Sequence, residues 1–366
     1  MSQLPTAAQA LAADGYLVLP AFAEPHAHLD KAFLAERVEN PTGDLLGAIM
    51  AMELARDSIT LADTIERAER AARLLAANGC TAIRTHVDLT PAARLTSVEA
   101  LIEVRHRLRH LVDIQVTALC AWPSIGPEGA DQRALLREAI AMGIDVIGGC
   151  PHLETDPIAA NDGFLALAAE AGLPLDLHTD ETLNPAMCAL DDLAQRVISS
   201  KFPHGVTASH CVSLGLQPLT RQCEVAEKVA AAGINVIALP HTNLFLQGRD
   251  CRVATPRAVT AVRALRDAGV NVAAGADNLQ DPFNPVGRGD PLETAGLMIM
   301  AAHALPAEAL EMVTGAARRA MGLRPSADYV GIRASTIREA IAFGPPDRVI
   351  IRDGSVLETQ RSHDRD

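Results

Sequence analysis

Short apolar runs alternate with longer amphipathic stretches along most of this chain. That alternation confines it to folds whose parallel strands are joined by helical crossovers. Runs at Tyr16–Ala23, Thr81–Val87, Asp113–Leu119, Asp145–Gly149, Pro174–Leu177, Val206–Ser209, Asn235–Leu239 and Asn271–Gly275 have the length and composition of buried strands. Helical patterns lie between them, as at Ala62–Ala77, Val98–Leu111, Gln132–Met142, Gly163–Ala171, Pro218–Ala232 and Arg257–Ala268. Gly79, Gly143, Gly172, Gly233 and Gly269 each stand at the end of a helical stretch, just before the next strand, as helix C-terminal glycines do. Eight such units in about 270 residues predict an α/β fold of the (β/α)8 TIM-barrel type. Residues 1–15 read as an N-terminal segment, 16–325 as the barrel, and 326–366 as a small β appendage and tail. Within the appendage, RVIIRDGSVL predicts two short strands turning at Asp353-Gly354. The tail is ETQRSHDRD (358–366).

The net charge of −13 argues against a nucleic-acid partner, which rewards a basic surface. Only Lys31, Lys201 and Lys228 among the 32 basic residues are lysines. Seven scattered cysteines, odd in number and without a CxxC pair, suit reduced thiols in a cytoplasmic protein. No basic residue precedes Lys31, so a signal-peptide charge cluster is not expected. Uncharged runs such as Val229–Gly248 are interrupted by Gly, Asn, Pro and His, so no membrane partner is expected either. A homo-oligomer is compatible with this composition.

Polar residues gather where strands end, and in a barrel those ends share one mouth. The first run leads into Glu24-Pro25-His26-Ala27-His28-Leu29-Asp30. His-x-His on a strand puts both imidazoles on one face, a metal-site arrangement, although two satisfied histidines on a polar loop give the same pattern. The fifth strand ends in His178-Thr179-Asp180-Glu181, the sixth in Ser209-His210 and the eighth in Gly275-Ala276-Asp277-Asn278. If the eight-strand reading holds, three imidazoles and a carboxylate converge with a position open for water. Glu181 and His210 then stand near enough to move protons.

The segments LVLPAFAEPHAHLD (17–30), RTHVD (84–88), HTDE (178–181), VTASH (206–210), NLFLQGR (243–249) and ADNLQDPFNPVGRGD (276–290) follow one another in order. Together they resemble the amidohydrolase superfamily, and within it the cytosine deaminase-like group. Asp277-Asn278 and the GRGD that follows are similar to the N-isopropylammelide amidohydrolase branch. The resemblance implies one divalent ion, zinc or iron, bound by His26, His28, His178 and Asp277. It implies that Glu181 shuttles a proton to a substrate ring nitrogen, that His210 polarises the nucleophile, and that Asp277 also accepts a proton. The implied reaction is attack of a metal-bound hydroxide on a ring carbon, releasing ammonia from a small heterocycle such as an aminopyrimidine, triazine or pterin. Hydrolysis of a cyclic amide or an exocyclic N-alkyl group is the enzymatic alternative, and a non-catalytic metal- or ligand-binding protein is the reading of a different class. Binuclear members use a lysine at the end of the fourth strand. Here that strand ends Gly149-Cys150-Pro151-His152, so one ion is expected.

Three departures bear on the substrate. The loop after the third strand, Leu119-Cys120-Ala121-Trp122-Pro123-Ser124, lacks the glutamine with which cytosine deaminases read the substrate amide. Asn278 stands where they carry a second carboxylate. Cytosine is therefore expected to be a poor substrate. The segment before the first strand is too short for a full N-terminal sandwich, so the appendage should be reduced. Phe283 is expected on the substrate ring. Trp122, Gln247 and Asn278 are the other expected substrate-binding residues. His86 and Asp88 are expected to support the site from behind, Lys31 to form a surface ion pair, and the cysteines to be small core residues.

Overall fold

The fold is that of a computed structural model in which residues 5–357 are described. Residues 1–4 and the tail 358–366 lie outside the described residues. Among the described residues there are twelve strands, most of them separated by helices: β1 (Leu17–Pro20), β2 (Phe22–Ala27), β3 (Cys80–Leu89), β4 (Asp113–Cys120), β5 (Val146–Gly149), β6 (Leu175–Thr179), β7 (Val206–His210), β8 (Asn235–Ala238), β9 (Val272–Ala274), β10 (Tyr329–Ile332), β11 (Arg348–Arg352) and β12 (Ser355–Leu357). Strands β2 to β9 form one parallel sheet in sequential order. A parallel bridge between Ala27 and Asp277 brings its two edges together. His28 N–H donates to the Asp277 carbonyl at 3.2 Å and Asp277 N–H to the His26 carbonyl at 3.0 Å. Glu24 adds to this seam, its carboxylate accepting from the backbone N–H groups of His26 and Ala276. This is the expected (β/α)8 barrel.

The helices follow the amphipathic pattern that predicts them. Leu61–Ala77 buries Thr64, Arg67, Ala68, Ala71, Ala72, Leu75 and Ala76 on one stripe, with Thr60 capping its N-terminus. Gly143 and Gly172 end their helices in the left-handed conformation, φ 90° and 68°, where a Cβ is unfavourable. With few aromatics, the core between barrel and helices is built from Ala, Leu, Val and Ile.

The run Tyr16–Ala23 is not one strand. It breaks between Pro20 and Phe22, so that β1 pairs antiparallel with β10 and β2 enters the barrel. Leu17–Pro20 therefore belongs to the four-stranded sheet β1-β10-β11-β12, although residues 16–325 read as barrel in the sequence. Proline has no N–H to extend a ladder, and this one marks where the chain changes sheets. The appendage is thus made from both ends of the chain. Asp353 and Gly354, φ 50° and 79°, form the tight turn expected between β11 and β12. The helix Leu45–Ala55 was not foreseen. Glu53 is its one charged residue and its apolar residues fall on every side, so it carries no helical period in its sequence, yet it lines the cavity at the mouth of the barrel.

Candidate active site

The carboxyl ends of the strands open into a cavity of about 220 Å³. His26 lies at the end of β2, His28 one residue past it, His178 on β6 and His210 on β7, with Asp277 just after β9. All five side chains are buried. Asp277 Oδ1 is 3.1 Å from His28 Nε2 and 3.5 Å from His26 Nε2, and the Nε2 atoms of His28 and His178 face each other at 3.2 Å.

These spacings fit a metal. Nitrogen and oxygen ligands about 2.0–2.2 Å from one ion stand about 3–3.6 Å apart. His26 Nε2 and both oxygens of Asp277 are buried with no hydrogen-bond partner, a cost the protein would recover by binding a cation. Burial first, and then the neighbouring imidazoles for His26 and His178, push the histidines well below their ordinary range, so they are neutral, as ligands must be. His26, His28 and Asp277 form one candidate group, and His26, His86 and His178 a second that shares His26. His178 connects to the first group through His28. His86 stacks on His26 with ring centroids 3.9 Å apart.

A buried relay fixes the His26 ring. Its Nδ1 is 2.9 Å from Ser209 Oγ, which donates to Asp176 Oδ1 at 2.8 Å, and Arg84 donates to Asp176 Oδ2 at 2.8 Å. Burial alone would raise the Asp176 pKa, but His86 and Arg84 hold it below its ordinary value. Such partners orient a ligating imidazole and fix its tautomer.

Glu181 follows β6 and lines the cavity. Asn243, in the helix Pro240–Leu246, donates from Nδ2 to Glu181 Oε1 at 3.2 Å and lies 3.1 Å from His210 Nδ1. His152 Nε2 stands 3.8 Å from the other Glu181 oxygen. Burial, reinforced by the charge of Asp277, raises the Glu181 pKa well above the carboxylate range, which favours the acid form. Burial lowers the His210 pKa to about 4.

The expected substrate contacts divide. Trp122, Phe283 and Asn278 line the cavity. Asn278, however, commits its Nδ2 to Asp281 Oδ2 at 2.7 Å. Gln247 is not among the lining residues. Its amide donates to the Glu181 backbone carbonyl at 3.1 Å, so it positions the loop instead. Lys31 is no surface residue. It is buried, lines the cavity, donates to Asp88 Oδ1 at 2.7 Å and lies 5.2 Å from the Phe283 ring centroid. Cys80, Cys120 and Cys211 are core residues as expected, with Cys120 also reaching the cavity; Cys150 is half-buried and lines the cavity, and Cys223 and Cys251 are exposed.

Another glutamine stands on the cavity wall. Gln132, on the helix Ala130–Met142, lines the cavity wall beside Leu119, Cys120, Ala121 and Trp122. It is buried and its Oε1 has no partner. The signal was present in the sequence: Gln132 shares the buried stripe of its helix with Leu135, Leu136 and Ala139. Asn243 and Arg56, a further lining residue, carried no such signal.

The model of the Amidohydrolase family matches residues 32–334. A pterin deaminase from Rhizobium rhizogenes is 34% identical over 359 residues, covering 93% of this chain and 80% of that protein. The structure of 5-methylcytosine deaminase from Klebsiella pneumoniae superposes with a TM-score of 0.87 at 32% identity, covering 95% of this chain and 88% of that one. N-isopropylammelide isopropylaminohydrolase from Burkholderia multivorans gives 0.79 at 31% identity, covering 94% and 87%. With this match and these similarities, the chain belongs to the Amidohydrolase family.

Proposed function

We propose that this protein hydrolyses the bond between a ring carbon and the exocyclic amino group of a small nitrogen heterocycle, releasing ammonia. One divalent ion, zinc or iron, is held by His26, His28, His178 and Asp277. The observation that carries this reading is Glu181: a buried carboxyl beside the ligands, facing the cavity and anchored by Asn243. The similarity to deaminases of pterin and 5-methylcytosine supports the choice of reaction. The seven free cysteines support a reducing, cytoplasmic setting, and no helix among the described residues is long and apolar enough to cross a membrane.

A divalent ion in this site supplies the Lewis acidity that makes water a nucleophile at neutral pH. Asp277, with Oδ2 3.9 Å from His210 Nε2, takes the proton of the attacking water. His210, oriented through Nδ1 by Asn243, stabilises the developing charge on oxygen. Glu181 in its acid form protonates the ring nitrogen next to the reacting carbon. The proton held by Asp277 passes to the amino group, which leaves as ammonia as its bond to the ring carbon breaks, and the remaining hydroxyl proton of the added water returns to Glu181, leaving an oxo group on the ring. Trp122 and Phe283 line the space for the ring, and Gln132 offers its amide to the edge of the heterocycle. A second reading, loss of an alkylamine, draws on the apolar wall of Leu45, Ile49 and Met52 and on the ammelide relative.

The test is product analysis on metal-loaded protein with pterin, 5-methylcytosine and N-isopropylammelide, with metal content measured on the same sample. Ammonia from an amino heterocycle at one ion per chain is the expected result. Isopropylamine without ammonia favours the second reading. No turnover of any substrate, or two tightly bound ions per chain, overturns the assignment.

A further inference from the structure

The cavity extends beyond the space a single ring fills. Its 220 Å³ corresponds to room for roughly fifteen to twenty waters, more than a one-ring base displaces. Beside the candidate metal ligands, Lys31 donates to Asp88, and the Glu181 carboxyl accepts from Asn243. Arg56 is different. It opens the short turn Arg56–Ser58 after the helix Leu45–Ala55, lines the cavity and is half-buried. Its Nε is sealed from solvent without a hydrogen-bond partner, and no carboxylate among the described residues lies within 4.0 Å of its guanidinium. Glu53, nearly one turn earlier, also lines the cavity, but it is exposed and makes no ion pair with Arg56 within 4.0 Å. Asp88, whose carboxyl Arg56 helps to hold low, already has its own cation in Lys31. Arg56 is thus a cavity-lining cation with no carboxylate in ion-pair contact, and its terminal guanidinium nitrogens are not among the sealed atoms.

Taking the deaminase reading as its basis, we infer that Arg56 binds a carboxylate on the substrate, so that the substrate class is an amino heterocycle bearing an acidic ring substituent. A guanidinium presents parallel N–H donors in a fixed plane that match the two oxygens of a carboxylate. An unpaired, partly desolvated guanidinium binds an anion more strongly than an exposed one, because less water competes. The apolar side chains of Leu45, Ile49 and Met52, on the helix that leads into Arg56, cover the remainder of the ring. Recognition then has two parts: amino-group chemistry at the ligands and charge recognition at Arg56.

The experiment compares two matched pairs, pterin with pterin-6-carboxylate and cytosine with cytosine-5-carboxylate, on wild-type protein, Arg56→Met and Arg56→Lys. For at least one pair, wild-type kcat/KM should favour the acid by tenfold or more. Arg56→Met should reduce that ratio by about tenfold to a hundredfold, as expected for a charge-assisted hydrogen bond, chiefly through KM. Arg56→Lys should restore part of it. Binding of the deaminated products is titrated in parallel, and circular dichroism shows that each variant is folded. Equal use of acid and neutral members by the wild type overturns the proposal, as does a ratio unchanged in folded Arg56→Met. If no ammonia is released but the acidic product binds in an Arg56-dependent way, the deaminase reading fails and the anion site stands. If neither product binds, both fail.

Discussion

At the scale of single residues, the mechanism proposed above turns on a carboxyl that is protonated at neutral pH and still loses its proton on demand. Glu181 meets the first condition by burial and the second by contact with Asn243, which can follow either protonation state with its amide. Glu181→Gln keeps the shape and one hydrogen bond but cannot transfer a proton. Metal content and product binding should therefore be retained while kcat falls by about 10²–10⁴. A variant keeping more than about a tenth of wild-type kcat, with chemistry rate-limiting, removes Glu181 from the proton path. One that loses its metal makes Glu181 a ligand. His26, His28, His178 and Asp277 were legible in the sequence because they stand at strand ends, and barrel closure alone carries strand ends to one mouth. Lys31, Asn243 and Arg56 were not. What defines them is their nearest neighbours, and those lie 57 residues away in the chain for Lys31, 62 for Asn243 or, for Arg56, are missing.

At the scale of elements, the barrel was legible because period and punctuation agree in each unit: a buried run, an amphipathic helix and a terminal glycine. The reading failed where that agreement is absent. β1 and β2 together make one apolar run, and only their partners distinguish them. The helix Leu45–Ala55 buries Ala48 and Met52, lines the cavity with Leu45 and Ile49, and exposes Leu46, Met50 and Leu54, so no polar face marks its period. Strand β5 shows how tightly a regular element can be specified. Gly149 has no Cβ because the Phe164 ring, from the helix Pro157–Ala171, fills that space, and an added methyl would overlap the ring. Gly149→Ala should destabilise by about 1–3 kcal/mol, seen as a lower thermal midpoint. Adding Phe164→Leu should cost less in that background than in the wild type, because the smaller side chain relieves the overlap. Purely additive midpoint shifts would show that the ring moves aside freely.

At the scale of the whole molecule, the appendage is fastened at the end of the barrel away from the cavity. Residues at the N-terminal face of such barrels serve stability, whereas the opposite face carries chemistry. Arg348, on β11, makes this attachment. Its side chain is 1% exposed, and it donates to Asp290 Oδ1 at 2.8 Å, to Asp290 Oδ2 at 2.7 Å and to the Asn78 carbonyl at 2.6 Å. Asn78 lies in the loop that enters β3, and Asp290 also caps the helix Pro291–Ala302 by accepting from Leu292 N–H. One guanidinium therefore ties the terminal sheet to two barrel segments. Removing it leaves Asp290 with a buried, uncompensated charge, so Arg348→Met should cost about 3–5 kcal/mol. Asp290→Asn in the same chain should recover part of that loss, since it removes the stranded charge and keeps a side-chain oxygen for the cap. The kcat of the folded Arg348→Met protein should match wild type, because Arg348 is not among the residues lining the cavity. The measurement is the thermal midpoint of the single and double variants at equal metal content, with kcat measured well below the lower midpoint. A double variant less stable than Arg348→Met alone would show that Asp290 is needed for more than its pairing with Arg348. A fall in kcat at full metal content would mean that the appendage reaches the site through the barrel.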